Sequence, residues 1–131
     1  MQFDVDMNSQ QAELFLEVRN FIIAQIQKHD TKAIEKFSQN ITSFYCKEYK
    51  TGFCYIRTKE NYVHLGWFQG INLMDKAELL FGNGKIIRGQ KINILSKVEK
   101  EAIVSYIDQT FILMMEHEEM QKMRKQIKAK K

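Results

Sequence analysis

Residues 53–94 read FCYIRTKENYVHLGWFQGINLMDKAELLFGNGKIIRGQKINI, and the alternation in the first half of this stretch decides the fold. Cys54, Ile56 and Thr58 fall on one side of an extended chain; Phe53, Tyr55 and Arg57 fall on the other. Lys59-Glu60 turns the chain. Val63, Leu65 and Trp67 then alternate with Tyr62, His64 and Gly66. Setting Thr58 opposite Asn61 puts Ile56 opposite Val63 and Cys54 opposite Leu65, apolar against apolar. A one-residue slip would set Ile56 against His64 and mix the faces. The preceding segment ITSFYCK, residues 41–47, extends the hairpin to a meander if Cys46 lies opposite Cys54 and Phe44 opposite Ile56.

Downstream of the hairpin, Asp75 is placed to cap a single helical turn carrying Leu79 and Leu80. Gly82-Asn83-Gly84 is a tight turn, because Gly and Asn accept positive φ. A fourth strand follows over about residues 85–94, with Ile86, Arg88, Gln90, Ile92 and Ile94 on one face. Upstream, residues 1–8 form a loose lead-in. Asn8 or Ser9 caps a helix reaching about Lys28, whose stripe is Leu14, Phe15, Val18, Phe21, Ile22 and Ile26. Asp30 suits the cap of a short second helix from Thr31 to about Ser38, and Asn40 a left-handed exit from it. Ser96-Lys97-Val98-Glu99 is a capping box. The helix it opens buries Ile103, Ile107, Phe111 and Met114 or Met115, and is expected to leave the body near Glu116 and fray. The expectation is therefore an α+β domain over residues 1–116, an antiparallel sheet of about four strands with the N- and C-terminal helices packed on one face. A charged helical tail occupies residues 117–131.

Composition limits what such a domain can be. At 131 residues and 44% hydrophobic content, the chain can bury one modest core. No apolar run approaches the roughly 20 residues needed to span a bilayer. The N-terminal MQFDVDMNSQ lacks the basic-then-apolar pattern of a signal peptide, so a cytoplasmic location is expected, with Cys46 and Cys54 as reduced thiols. The net charge of +4 comes from the last ten residues, which hold six of the 20 Lys and Arg and no acid; the remainder has 14 basic against 16 acidic residues. A basic tail of this kind gives at most weak, non-specific contact with polyanions.

Catalytic motifs are absent or broken. Gly82-Asn83-Gly84-Lys85 lacks the gap and the Ser or Thr of a phosphate loop. His117-Glu118-Glu119-Met120-Gln121 has Gln where a zinc helix needs its second His. Cys46 and Cys54 do not match CxxC and read as buried core residues. The polar side of the hairpin offers Tyr55, Arg57, Tyr62 and His64, with Lys85 and Arg88 nearby if the fourth strand lies alongside. Such a face is either an ordinary outer surface or a seat for a partner or a planar or anionic small ligand.

Val63-His64-Leu65-Gly66-Trp67-Phe68-Gln69-Gly70, followed by Leu73, Asp75, Leu79-Leu80, Gly82-x-Gly84-Lys85 and Arg88, resembles the signature of the YdhG-like family. This is a bacterial domain-of-unknown-function family with some members described as frataxin-like iron chaperones. The run from Glu35 to Phe44 also resembles the family pattern, with Asn40 in place of its Gly and Thr42 and Met74 in place of its prolines. The resemblance covers roughly residues 10–112. It implies a helix–sheet–helix sandwich without catalysis: a binding or carrier protein handling iron through an acidic ridge on the first helix and the neighbouring edge. Asp4, Asp6, Glu13 and Glu17 are the residues here that could serve, and hard oxygen ligands suit a labile iron ion.

Overall fold

The computed structural model describes residues 1–129, so Lys130 and Lys131 of the expected tail lie outside the described residues. The chain is α+β, as the alternation and caps imply. Two helices, α1 (Gln2–Met7) and α2 (Ala12–Ile26), precede β1 (Ile34–Phe37), β2 (Thr42–Cys46), β3 (Thr51–Thr58) and β4 (Val63–Trp67). A short 3-10 turn, Gly70–Asn72, leads to β5 (Leu80–Phe81) and β6 (Arg88–Ile92), and α3 (Lys97–Ala129) ends the described chain. All six strands form one antiparallel sheet in the order β1-β2-β3-β4-β6-β5. No helix among the described residues is long and apolar enough to cross a membrane.

The hairpin keeps its faces but not the expected register. Thr58 pairs with Val63, Ile56 with Leu65 and Cys54 with Trp67, two residues along from the expected pairing. The cause is the connection: the amide of Lys59 donates to the carbonyl of Tyr62 at 2.8 Å, making a four-residue loop. A shift of two preserves side-chain parity, so Cys54, Ile56, Val63, Leu65 and Trp67 still enter the core, each fully buried.

The β2–β3 register is corrected as well. Phe44 pairs with Cys54 and Cys46 with Thr51, so the cysteines do not face each other. Between the pairs Phe44–Cys54 and Tyr45–Gly52, β3 carries one extra residue, Phe53. This bulge breaks the alternation, and Phe53 joins the hydrophobic core at 0% exposure rather than sharing the Tyr55 face.

Two strands were not expected, β1 and β5. Residues 34–37 are extended rather than helical, because Asp30 ties the turn before them to the end of β2. Its carboxylate accepts the amides of Lys32 at 2.9 Å, Lys47 at 2.8 Å and Glu48 at 3.2 Å, and the Cys46 thiol at 3.3 Å. A helix of two turns has little stability of its own to set against such anchoring. Ser38 closes the following turn on Ile41, and Asn40 is not left-handed; among the described residues Lys50 and Glu78 are the non-glycine residues with positive φ. Asp75 does accept the amides of Leu79 and Leu80, at 3.1 and 2.9 Å, but the turn it closes delivers the chain into β5 instead of a helix.

The core lies between the sheet and the two long helices. Phe15, Val18, Ile22 and Ile26 of α2 and Ile103, Tyr106 and Ile107 of α3 meet Phe44, Ile56, Val63, Leu65, Trp67 and Ile92. Phe111 is only partly buried, stacked on His29 at 4.6 Å between ring centres. The Ser96 hydroxyl donates to the Glu99 carboxylate at the start of α3. That helix does not fray near Glu116: it stays helical to Ala129, although its last buried residue is Met114.

Candidate binding face

The four carboxylates of the expected acidic ridge are not brought together. Residues 1–7 are not a lead-in but include α1, which fixes their directions. Asp4 and Asp6, two positions apart on a helix, point to opposite sides. Asp4 is exposed beside the N-terminal amine at 3.3 Å, whereas Asp6 is fully buried. Asp6 Oδ1 accepts the Thr58 amide at 2.9 Å, the Thr58 hydroxyl at 2.7 Å and the Gln2 amide group at 2.8 Å. Glu13 and Glu17 stand exposed one turn apart on α2. No three His, Cys, Asp or Glu side chains among the described residues converge in a way that could hold a metal ion.

The sheet face turned away from the helices is different. Antiparallel partners share a face, so the pairs Tyr55–Gly66, Arg57–His64, His64–Lys91 and Gly66–Gly89 define a continuous surface across β3, β4 and β6. Along it runs a chain of rings. Tyr45 meets Phe68 at 6.3 Å between centres, Phe68 meets Tyr55 at 5.8 Å, Tyr55 meets His64 at 5.6 Å, and His64 meets Phe81 at 5.8 Å. The Tyr55 hydroxyl and His64 Nε2 are 3.3 Å apart.

Glycines make room for these rings. A β-carbon on Gly66 would lie 2.0 Å from the Tyr55 ring, one on Gly52 2.7 Å from Phe68, and one on Gly89 2.8 Å from both His64 and Phe81. The rings therefore lie down on the backbone rather than standing off it, which is what glycine inside a strand permits.

Charge on this face has one sign. Among the strand residues the sole acid is Glu35, and it is turned to the other side, where its carboxylate takes the Arg19 guanidinium of α2. Lys36 sits 5.7 Å from the Tyr45 ring centre and Lys91 4.5 Å from that of Tyr62. Burial, then the charges of Lys59 and Arg57, hold the His64 imidazole below its ordinary pKa. Arg57 Nε and His64 Nδ1 are both shielded from solvent without a hydrogen-bond partner. Both leave hydrogen-bonding capacity unused beneath the face.

Of the residues expected on this face, Tyr55, Arg57, Tyr62 and His64 are assembled there. Strand β6 does lie beside β4, but Arg88 pairs with Trp67 and so has the parity of the core side, and its guanidinium is bound to the carbonyls of Gly84 and Ile87. Lys85 is exposed in the loop before β6. Tyr45, Phe68, Phe81, Lys36 and Lys91 complete the face and were not expected. The signal for them was the strand glycines at 52, 66 and 89. Elsewhere, burial raises the pKa of both Cys46 and Cys54, which keeps each a protonated thiol. Compared with known protein families, curated proteins and solved structures, the chain matches none of them.

Proposed function

We propose that this chain is a non-enzymatic binding module whose outer sheet face takes a planar, anionic ligand. The observation that carries this reading is the continuous row Tyr45–Phe68–Tyr55–His64–Phe81, laid on glycine backbone, on a face whose charged strand residues are all cations. Flat rings offer stacking, and Arg57, Lys59 and Lys91 offer charge at the rim. The His64 imidazole, held neutral by burial, adds a ring to the row rather than a charge. This reading ranks above iron carriage because Asp6, which an acidic ridge would need, is spent on Thr58.

The test is a titration with aromatic phosphates, nucleoside monophosphates among them, followed by backbone amide shifts. Shifts centred on Tyr55, His64 and Phe81, lost in the Tyr62→Ala, His64→Ala double variant, are expected. An absence of shifts, or shifts that survive in the variant, would leave the face as plain surface.

A further inference from the structure

Beyond Met114, α3 continues through fifteen described residues, 115–129, none of them buried. The first turn of this segment still lies against the body, where His117 borders a cavity with Thr51 and Gln69, and at 1.5 Å per residue the whole segment is about 22 Å long. Its apolar residues are not scattered. Ile112, just before the segment, and Met123 and Ile127 fall within about 60° of one another around the helix, with Met115 on one flank and Met120 on the other; Glu116 and Glu119 share this arc. The five apolar side chains are between 44% and 58% exposed. Met115, Glu116, Glu119 and Met120 border a shallow, mainly apolar groove along the helix.

The charges on the same segment are divided by sign along the axis. Glu116, Glu118 and Glu119 occupy the half nearer the body, and Lys122, Arg124, Lys125 and Lys128 the half farther away. Among the described residues none of these seven makes an ion pair. A segment that is negative at one end and positive at the other complements its own reverse.

We propose that the projecting half of α3 pairs antiparallel with the same segment of a second copy of this chain. A twofold axis at Met120 sets Glu116 of one copy across from Arg124 of the other, and Glu119 near Lys122 on the opposite flank of the stripe. The same axis brings Ile127 alongside Ile112 and stacks the Met120 side chains at the centre, so the apolar stripe meets itself. A parallel arrangement would lay Glu on Glu and Lys on Lys, at a cost in repulsion. The contact is isologous and closes at two copies.

Sedimentation equilibrium of the full chain tests this. A monomer–dimer equilibrium that weakens with added salt is expected. Glu116→Arg alone and Arg124→Glu alone should each weaken dimerisation about tenfold or more, because each sets like charges across the axis. The double variant should restore it, and Met120→Glu should abolish it while far-UV circular dichroism keeps the folded signature. A chain that stays monomeric throughout, whether or not its tail binds a polyanion, overturns the proposal. So does a double variant no better than the singles, which would point to parallel pairing.

Discussion

One carboxylate oxygen of Asp6 lies 2.9 Å from the amide nitrogen of Thr58 and 2.7 Å from its hydroxyl, so α1 is pinned to the end of β3 across 52 residues of chain. Both groups are buried, which makes the contact unforgiving: removing the acceptor strands a donor away from water. Asp6→Ala should therefore lower unfolding free energy by about 3 kcal/mol. Thr58→Val, which keeps the amide bond and loses only the hydroxyl, should cost about 1 kcal/mol. Urea denaturation at neutral pH checks the order of the two.

Gly66 carries the Tyr55 ring directly on its backbone. Gly66→Ala should destabilise the domain by about 1–3 kcal/mol through forced displacement of that ring. Adding Tyr55→Ala should recover part of the loss, since it empties the space the new methyl needs. Denaturation of the two variants and their combination measures the coupling; strictly additive losses would contradict the contact.

Titration of His64 should be visible in stability. Its folded-state pKa lies below the unfolded value of about 6.5. Between those two values the unfolded chain binds the proton and the folded chain does not, so stability falls as pH drops through that window and levels off below the folded pKa. His64→Gln should flatten this part of the profile while leaving the loss at more acid pH. Asp30 and Asp75 contribute to that later loss, because their folded pKa values are depressed: burial raises each, but the hydrogen bonds each accepts outweigh it. Urea midpoints between pH 7 and pH 4 for both proteins separate the two regimes.

Tyr106 donates its hydroxyl to the Asp75 carboxylate, which also holds the amides of Leu79 and Leu80. Tyr106→Phe should cost about 1–3 kcal/mol. Its local effect should be larger than its global one: amide exchange at Leu79 and Leu80 should accelerate more than exchange in β3 and β4.

Truncation after Glu116 removes no buried residue among those described. The melting temperature of a dilute sample should stay nearly unchanged, and any dependence of melting on protein concentration should disappear with the segment. A large loss at low concentration would mean that Met120, Met123 or Ile127 supports the body itself.

The two faces of the sheet were legible in the sequence because parity survives errors that register does not. Ile56 and Val63 belong to the core and Tyr55 and His64 to the outer face whether the hairpin loop has two residues or four. What alternation could not show was the extra residue in β3, which moves Phe53 across the sheet. Nor could local propensity show β1, whose extended form depends on Asp30 reaching residues 47 and 48. The candidate face was half legible for the same reason. Tyr55, Arg57 and His64 follow from one hairpin, whereas Phe81 reaches His64 only because β5 lies outside β6, an inversion of chain order that no local pattern encodes.

That inversion also ranks the parts of the sheet by when they form. Strands β1 to β4 neighbour one another in chain order, so their ladders close over short loops and need no other element in place. Strand β6 must seat on β4 before the two residues of β5 have anything to join. The far edge is thus the last to assemble and the first to open under native conditions, and Phe81 travels with it. Each brief opening of that edge lifts one ring off Gly89 and uncovers His64, so the outer face has a built-in moving end and a fixed one.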